Sequence, residues 1–197
     1  GFTGNITLNG TMTIGGTMDG NLILNGANRQ VAVDWMGITF APTSVTCAGG
    51  GPFDLTLYHA GGNPDWVVTV AGPGGWNTRN FIYDTGDGRP NLNINVADPT
   101  AFFSGLTGAF IVNSGGVALG SSPASVDVGF DFRLNYEPVG LGAGFVNTSQ
   151  LNVITGGTIG GDGRYAYRSG FGGGSTFTLP TNVTVQNGGT VSPGNSA

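Results

Sequence analysis

From Phe2 to Leu24 every even-numbered position holds an apolar residue or glycine, among them Ile6, Leu8, Met12, Ile14, Met18, Leu22 and Leu24. The odd positions are Gly, Thr or Asn almost throughout, with Asp19 the one charge and Ile23 the one apolar exception. A period of two is an extended backbone with one greasy face and one wet face. An unpaired side of such a strand offers a row of main-chain donors and acceptors, which natural sheets blunt with Lys, Pro or inward charges. That guard is missing here: the chain contains no Lys, its first Pro is Pro42 and its first Arg is Arg29. The segment is therefore either covered within its own fold or directed at another molecule.

Composition narrows the second alternative. Only 9% of the 197 residues are charged, against about 25% in ordinary globular domains. A net charge of −5 carried by six Arg and eleven acids argues against nucleic acid, whose binding needs a basic footprint to release counterions. It argues equally against electrostatic docking on anionic membranes, and no apolar run is long enough for a spanning helix. The 39 glycines imply many turns and close backbone approaches. Low charge with Asn/Thr/Ser/Gly-rich wet faces is expected of a secreted or surface protein. The chain starts at Gly1 without a basic-plus-apolar leader pattern, as expected of an exported chain after processing.

The two-residue period recurs in Phe53–Tyr58, Trp66–Val70, Asn91–Val96 and, at greatest length, Val126–Tyr136. Turn pairs such as Asn25-Gly26, Asp87-Gly88, Asp162-Gly163 and Asn187-Gly188 separate such runs. One short helix is predicted at Asp98-Pro99-Thr100-Ala101-Phe102-Phe103, where an N-cap precedes Pro at the first helical position. Alternation with one wet face marks antiparallel sheets, so the expected fold is an all-β antiparallel sandwich, jelly-roll or immunoglobulin-like. Its expected organisation is an extended N-terminal strand or hairpin (1–26), a sandwich core (27–154) and a Gly-rich C-terminal region ordered by a partner (155–197). Gly4-Asn5-Ile6-Thr7-Leu8-Asn9-Gly10 recurs as Gly20-Asn21-Leu22-Ile23-Leu24-Asn25-Gly26. Two copies suit a hairpin or two stacked rungs, whereas a solenoid wants at least three.

No catalytic constellation stands out. Glu137 is the single glutamate, and most Asp residues sit beside turns or on wet strand faces, where a solvated role is expected. His59 is the single histidine, which excludes a multi-His metal site; it is expected beside a turn. Asp84-Thr85-Gly86-Asp87-Gly88 offers two carboxylates, Asp84 and Asp87, for Ca²⁺, joined by Asp65 or Asp98, but lacks the ligand ladder of an EF-hand. The expectation is no cofactor, with Ca²⁺ at that loop as the exception. Trp76, in a Gly/Pro-rich loop, is the expected exposed platform for a glycan ring, ahead of Trp35, Trp66 and Tyr58. Cys47 is unique, so no intrachain disulfide forms, and a small buried role is expected.

The tail Asn187-Gly188-Gly189-Thr190-Val191-Ser192-Pro193-Gly194-Asn195-Ser196 resembles a segment recurring in bacterial autotransporter passengers and related surface adhesins. The Lys-free, Gly/Asn/Thr-rich style also resembles secreted bacterial proteins of the PEP-CTERM, exosortase-sorted kind. The sequence shows no sustained solenoid period, membrane-barrel domain or Pro-Glu-Pro signature. The resemblance implies a bacterial cell-surface or matrix location.

These readings converge on a non-enzymatic structural subunit of an extracellular filament, pilus-like fibre or biofilm matrix. Its expected mechanism is strand donation between copies, with Phe2, Ile6, Leu8, Met12 and Ile14 as the knobs that fill a neighbour's groove. The alternative is a carbohydrate-binding or adhesin module with glycans as partners.

Overall fold

The computed structural model describes residues 2–33, 37–59, 66–85, 91–120, 125–137, 142–143, 145–146, 150–161, 166–168, 177–180 and 182–191; Trp35, Asp65, Asp87, the Asp162-Gly163 turn and the tail from Ser192 lie outside them. Within them, short strands alternate with Gly- and Asn-rich bends that carry the chain onward around an axis. The first coil holds β1 (Asn5–Leu8) and β2 (Met12–Ile14). The second holds β3 (Asn21–Asn25), β4 (Arg29–Val33) and β5 (Ile38–Phe40), and the third β6 (Ser44–Ala48), β7 (Leu55–His59) and β8 (Val67–Val70). The fourth has β9 (Phe81–Thr85) and β10 (Asn91–Ile94); the fifth has helix α1 (Pro99–Phe102), β11 (Ala109–Val112) and β12 (Gly116–Leu119). The sixth runs through β13 (Val126–Val128), β14 (Asp131–Leu134), β15 (Tyr136–Glu137), β16 (Gly142–Ala143) and β17 (Phe145–Val146). The seventh has β18 (Gln150–Val153), β19 (Thr158–Gly160), β20 (Ala166–Arg168) and β21 (Phe177–Pro180), and the eighth β22 (Asn182–Val185) and β23 (Thr190–Val191).

Equivalent strands of successive coils pair in parallel. One sheet of eight strands runs β2-β4-β7-β9-β11-β14-β19-β23, one of five runs β5-β8-β10-β12-β17, and β1-β3-β6 and β13-β18-β22 are sheets of three. Among the described residues, antiparallel pairing is confined to β15–β16 and β20–β21. The chain is thus wound as a parallel β-helix, which overturns the expected antiparallel sandwich. The alternation misled because a β-helix strand, like an antiparallel one, turns one face to a core and the other to water. The internal repeat is a pair of stacked rungs: Asn5, Ile6, Thr7 and Leu8 lie in register with Asn21, Leu22, Ile23 and Leu24. Gly20 starts the second rung so close beneath the first that a Cβ there would overlap the Gly4 carbonyl.

The alternation survives the corners. Leu8, Ile14, Met18, Leu22 and Leu24 are all buried although a bend at 9–11 separates β1 from β2. The long run from Val126 to Tyr136 likewise breaks at Gly129–Phe130, yet Val126, Val128, Phe130, Phe132 and Leu134 all face inward. Inward side chains stack in columns along the axis. Leu55, Phe81, Phe110, Phe132 and Ile159 follow one another in register. The rings of Phe81, Phe110 and Phe132 lie 5.4 Å apart at each step and within 18° of parallel, since parallel strands about 4.8 Å apart present one side chain over the next.

Helix α1 forms as the sequence predicts, with the Asp98 carboxylate accepting from the Ala101 N–H at 3.0 Å and Pro99 opening the first turn. It takes the place of a strand on the first face, between β6 and β13. Thr100 Oγ1 ties it to β13 by donating to the Asp127 carbonyl at 2.9 Å, and Phe102 and Phe103 enter the lumen from it.

Candidate functional site

The N-terminal segment forms the first coil, bent between β1 and β2. Leu8 and Ile14 are lumen residues, 4% and 0% exposed, Ile6 and Met12 are half-buried, and Phe2 is 49% exposed. Phe2 bridges in parallel to Met18, which bridges in turn to Phe40. Strands β1 and β2 are bonded on one side to β3 and β4, and among the described residues no strand lies on their other side. The Asn21 N–H donates to the Gly4 carbonyl at 2.7 Å. Along a parallel strand successive residues address opposite neighbours, so Gly4, Ile6 and Leu8 address β3. The N–H and C=O of Asn5 and Thr7 form the open edge.

Among the described residues, strands β22 and β23 leave a second open edge, bonded only to β18 and β19. The Gln186 N–H donates to the Val153 carbonyl at 2.8 Å, so the main-chain groups of Val183 and Val185 address the open side. The exposed large hydrophobics of the described residues are Phe2, Val183, Val185 and Val191; all four belong to the first and last coils. From the sequence, the first of these ends is expected to be a donor strand, and the second is expected only as part of a C-terminal region ordered by a partner (155–197), not as an edge. Its signal was available, since Asn182-Val183-Thr184-Val185-Gln186 matches Asn5-Ile6-Thr7-Leu8-Asn9 in type position by position.

Amide side chains line the wet face in ladders. Asn21 Nδ2 donates to Asn5 Oδ1 at 2.8 Å and Asn25 Nδ2 to Asn9 Oδ1 at 2.7 Å, each coil donating to the one before. Arg29 stands in the inward column of Leu55 and closes that corner, its guanidinium bonding the carbonyls of Leu8 (2.9 Å) and Asn25.

A polar corner ladder was not legible in the sequence. Asn28, Asp54 and Asn80 occupy equivalent positions, and each side-chain oxygen accepts the backbone N–H of the next coil: Asp54 at 3.0 Å, Asn80 at 3.2 Å and Ala109 at 2.8 Å. Asp54, expected to be solvated, is 8% exposed and is gripped by Arg79 through Nε at 2.8 Å and Nη2 at 2.6 Å. Hydrogen bonds from Arg79, with its charge and the Asn80 amide, hold the Asp54 carboxyl below the ordinary carboxylate range against the opposing effect of burial.

The remaining candidates are spread through the stack. Trp76, expected exposed, is 1% exposed and packs edge-on against Phe40, Phe81 and Phe102; a glycan cannot reach its face. His59, expected at a turn, ends β7 in the lumen column between Val33 and Thr85, its ring 5.9 Å from that of Trp66. Asp84 accepts from Ser114 Oγ at 2.9 Å, while its expected calcium partner Asp87 lies outside the described residues. Among the described residues no group of three or more His, Cys, Asp or Glu could hold a metal ion. Cys47 is a half-buried free thiol whose sulfur accepts from the Phe53 N–H at 3.3 Å. A groove of about 430 Å³ beside α1 is lined by Asp98, Thr100, Ser125 and Asp127, among others. Its carboxylates are already engaged, Asp98 by the Ala101 N–H and Asp127 by Asn152 Nδ2.

Compared with protein-family models, curated proteins and solved structures, the chain matches none.

Proposed function

We propose that this chain is a non-enzymatic structural module of an extracellular filament or biofilm matrix at the bacterial surface, polymerising by main-chain pairing of β-strand edges between copies. The carrying observation is that the exposed large hydrophobics of the described residues are confined to the end coils, Phe2 at one and Val183, Val185 and Val191 at the other. Unlike the donation expected from the sequence, the N-terminal strand stays in its own coil and uses only its free edge. Edge pairing gives affinity without a groove, and a contact that does not close on itself builds a fibre. The low charge and absent Lys fit an edge that is used rather than guarded. The surface location rests on that composition and on the tail resemblance.

Thr7→Pro tests the reading, because it removes an edge N–H while the residues addressing β3 keep theirs. Wild-type protein should form filaments in negative-stain micrographs, and Thr7→Pro should remain a folded monomer by sedimentation. Filaments of equal length and number from the variant would refute edge pairing.

A further inference from the structure

Resting on that reading, we infer that the two open ends are the complementary halves of one joint: the last coil of one copy receives the first coil of the next, in parallel and in a single register. The two edge strands carry the same pattern, Asn-aliphatic-Thr-aliphatic-amide, at Asn5–Asn9 and at 182–186. How that pattern stacks on itself is visible once within the chain, where Asn5, Ile6, Thr7 and Leu8 meet Asn21, Leu22, Ile23 and Leu24 with both terminal amides bonded. Placing β1 of one copy on β22 of another repeats that arrangement. Val183 and Val185, 37% and 47% exposed, come to lie over Ile6 and Leu8 and continue the lumen.

The main-chain phase fits the same register. Thr7 offers its N–H and C=O outward from the first coil, and Val183 and Val185 offer theirs outward from the last. With Thr7 opposite Thr184, the Thr7 N–H donates to the Val183 carbonyl and the Val185 N–H donates to the Thr7 carbonyl, as a parallel ladder requires. The amide ladder agrees in direction. Each coil donates to the one before it, so Asn9 Nδ2 of the arriving copy meets the Gln186 side chain of the receiving copy. A one-residue slip would turn Ile6 and Leu8 to water, which leaves this register favoured. Growth is therefore polar, first coil onto last coil, and head-to-head pairing is disfavoured.

Two blocked variants test the joint. Thr7→Pro closes the first-coil edge and Val185→Pro closes the last-coil edge; Thr7→Lys and Val185→Lys serve the same purpose should either proline variant lose its β circular dichroism. Each variant alone should sediment as a monomer, and an equal mixture should give a species of twice the mass and nothing larger. Adding Thr184→Cys to the first variant and Thr7→Cys to the second should let oxidation cross-link that dimer, since residues paired across a ladder fall within disulfide reach. A mixture that stays monomeric while wild type polymerises, or a dimer that does not cross-link, overturns the joint and leaves edge assembly standing. A wild-type protein that never assembles overturns both.

Discussion

Asp54 satisfies four donors at a corner where the strands bend and main-chain pairing alone does not suffice: the Asn80 N–H, the Asn80 amide and two guanidinium nitrogens of Arg79. Removing it in Asp54→Ala strands these donors. Because the Arg79 side chain is half exposed, water screens much of the ionic part, and a loss of about 1–3 kcal/mol is expected. The pH dependence has a definite sign. The folded-state pKa is lowered, so the stabilisation is fully present above the unfolded carboxylate value, near about pH 4. It is lost as pH falls through the folded value. Urea unfolding of wild type and Asp54→Ala should therefore differ most at neutral pH and converge in strong acid. A gap that persists unchanged in strong acid would show that the carboxylate charge is not its source.

At the scale of elements, the phenylalanine column is what joins the middle coils. Phe110 lies between Phe81 and Phe132, fully buried, and also stacks on Phe103 at 4.7 Å. Phe110→Ala would leave a cavity and break three ring contacts, costing about 3–5 kcal/mol. Because one coil supports the next, the transition should stay cooperative and shift to lower denaturant. A shift under about 1 kcal/mol would mean that the column repacks around the gap.

Much of this layer was legible. The alternation located most strands and the inward residues Leu8, Ile14, Leu22 and Leu24, and the Asp98-Pro99 signal located α1. What could not be read was how the strands pair. Alternation reports that one face is wet, and β-helix strands share that property with sandwich strands. The repeat would have disclosed the winding had it been regular, but the step between equivalent residues is 16 from Asn5 to Asn21, 26 from Asp54 to Asn80, 29 from Asn80 to Ala109 and 22 from Asn113 to Asn135. Corner insertions of varying length hid the period. Trp76 shows the same limit at one residue: its Gly/Pro-rich setting marked a loop correctly, but the loop at this coil passes beside α1, where the indole fills the lumen.

At the scale of the molecule, the stack is closed along its sides and open at its ends. Along the sides, wet faces carry Asn, Thr and Asp, and the inner strands of the parallel sheets have neighbours in register on both sides. At the ends, among the described residues, main-chain edges and apolar side chains are left without a following rung. The proposed edge assembly would turn many short solenoids into one long one, with the strands perpendicular to the fibre. Fibre diffraction from aligned wild-type assemblies tests this most directly. A continuous stack should give a meridional reflection at about 4.8 Å from coil spacing, and the eight coils of the described residues should give an axial subunit repeat of about 38 Å. A 4.8 Å reflection on the equator, or an axial repeat that is no multiple of the coil spacing, would contradict it.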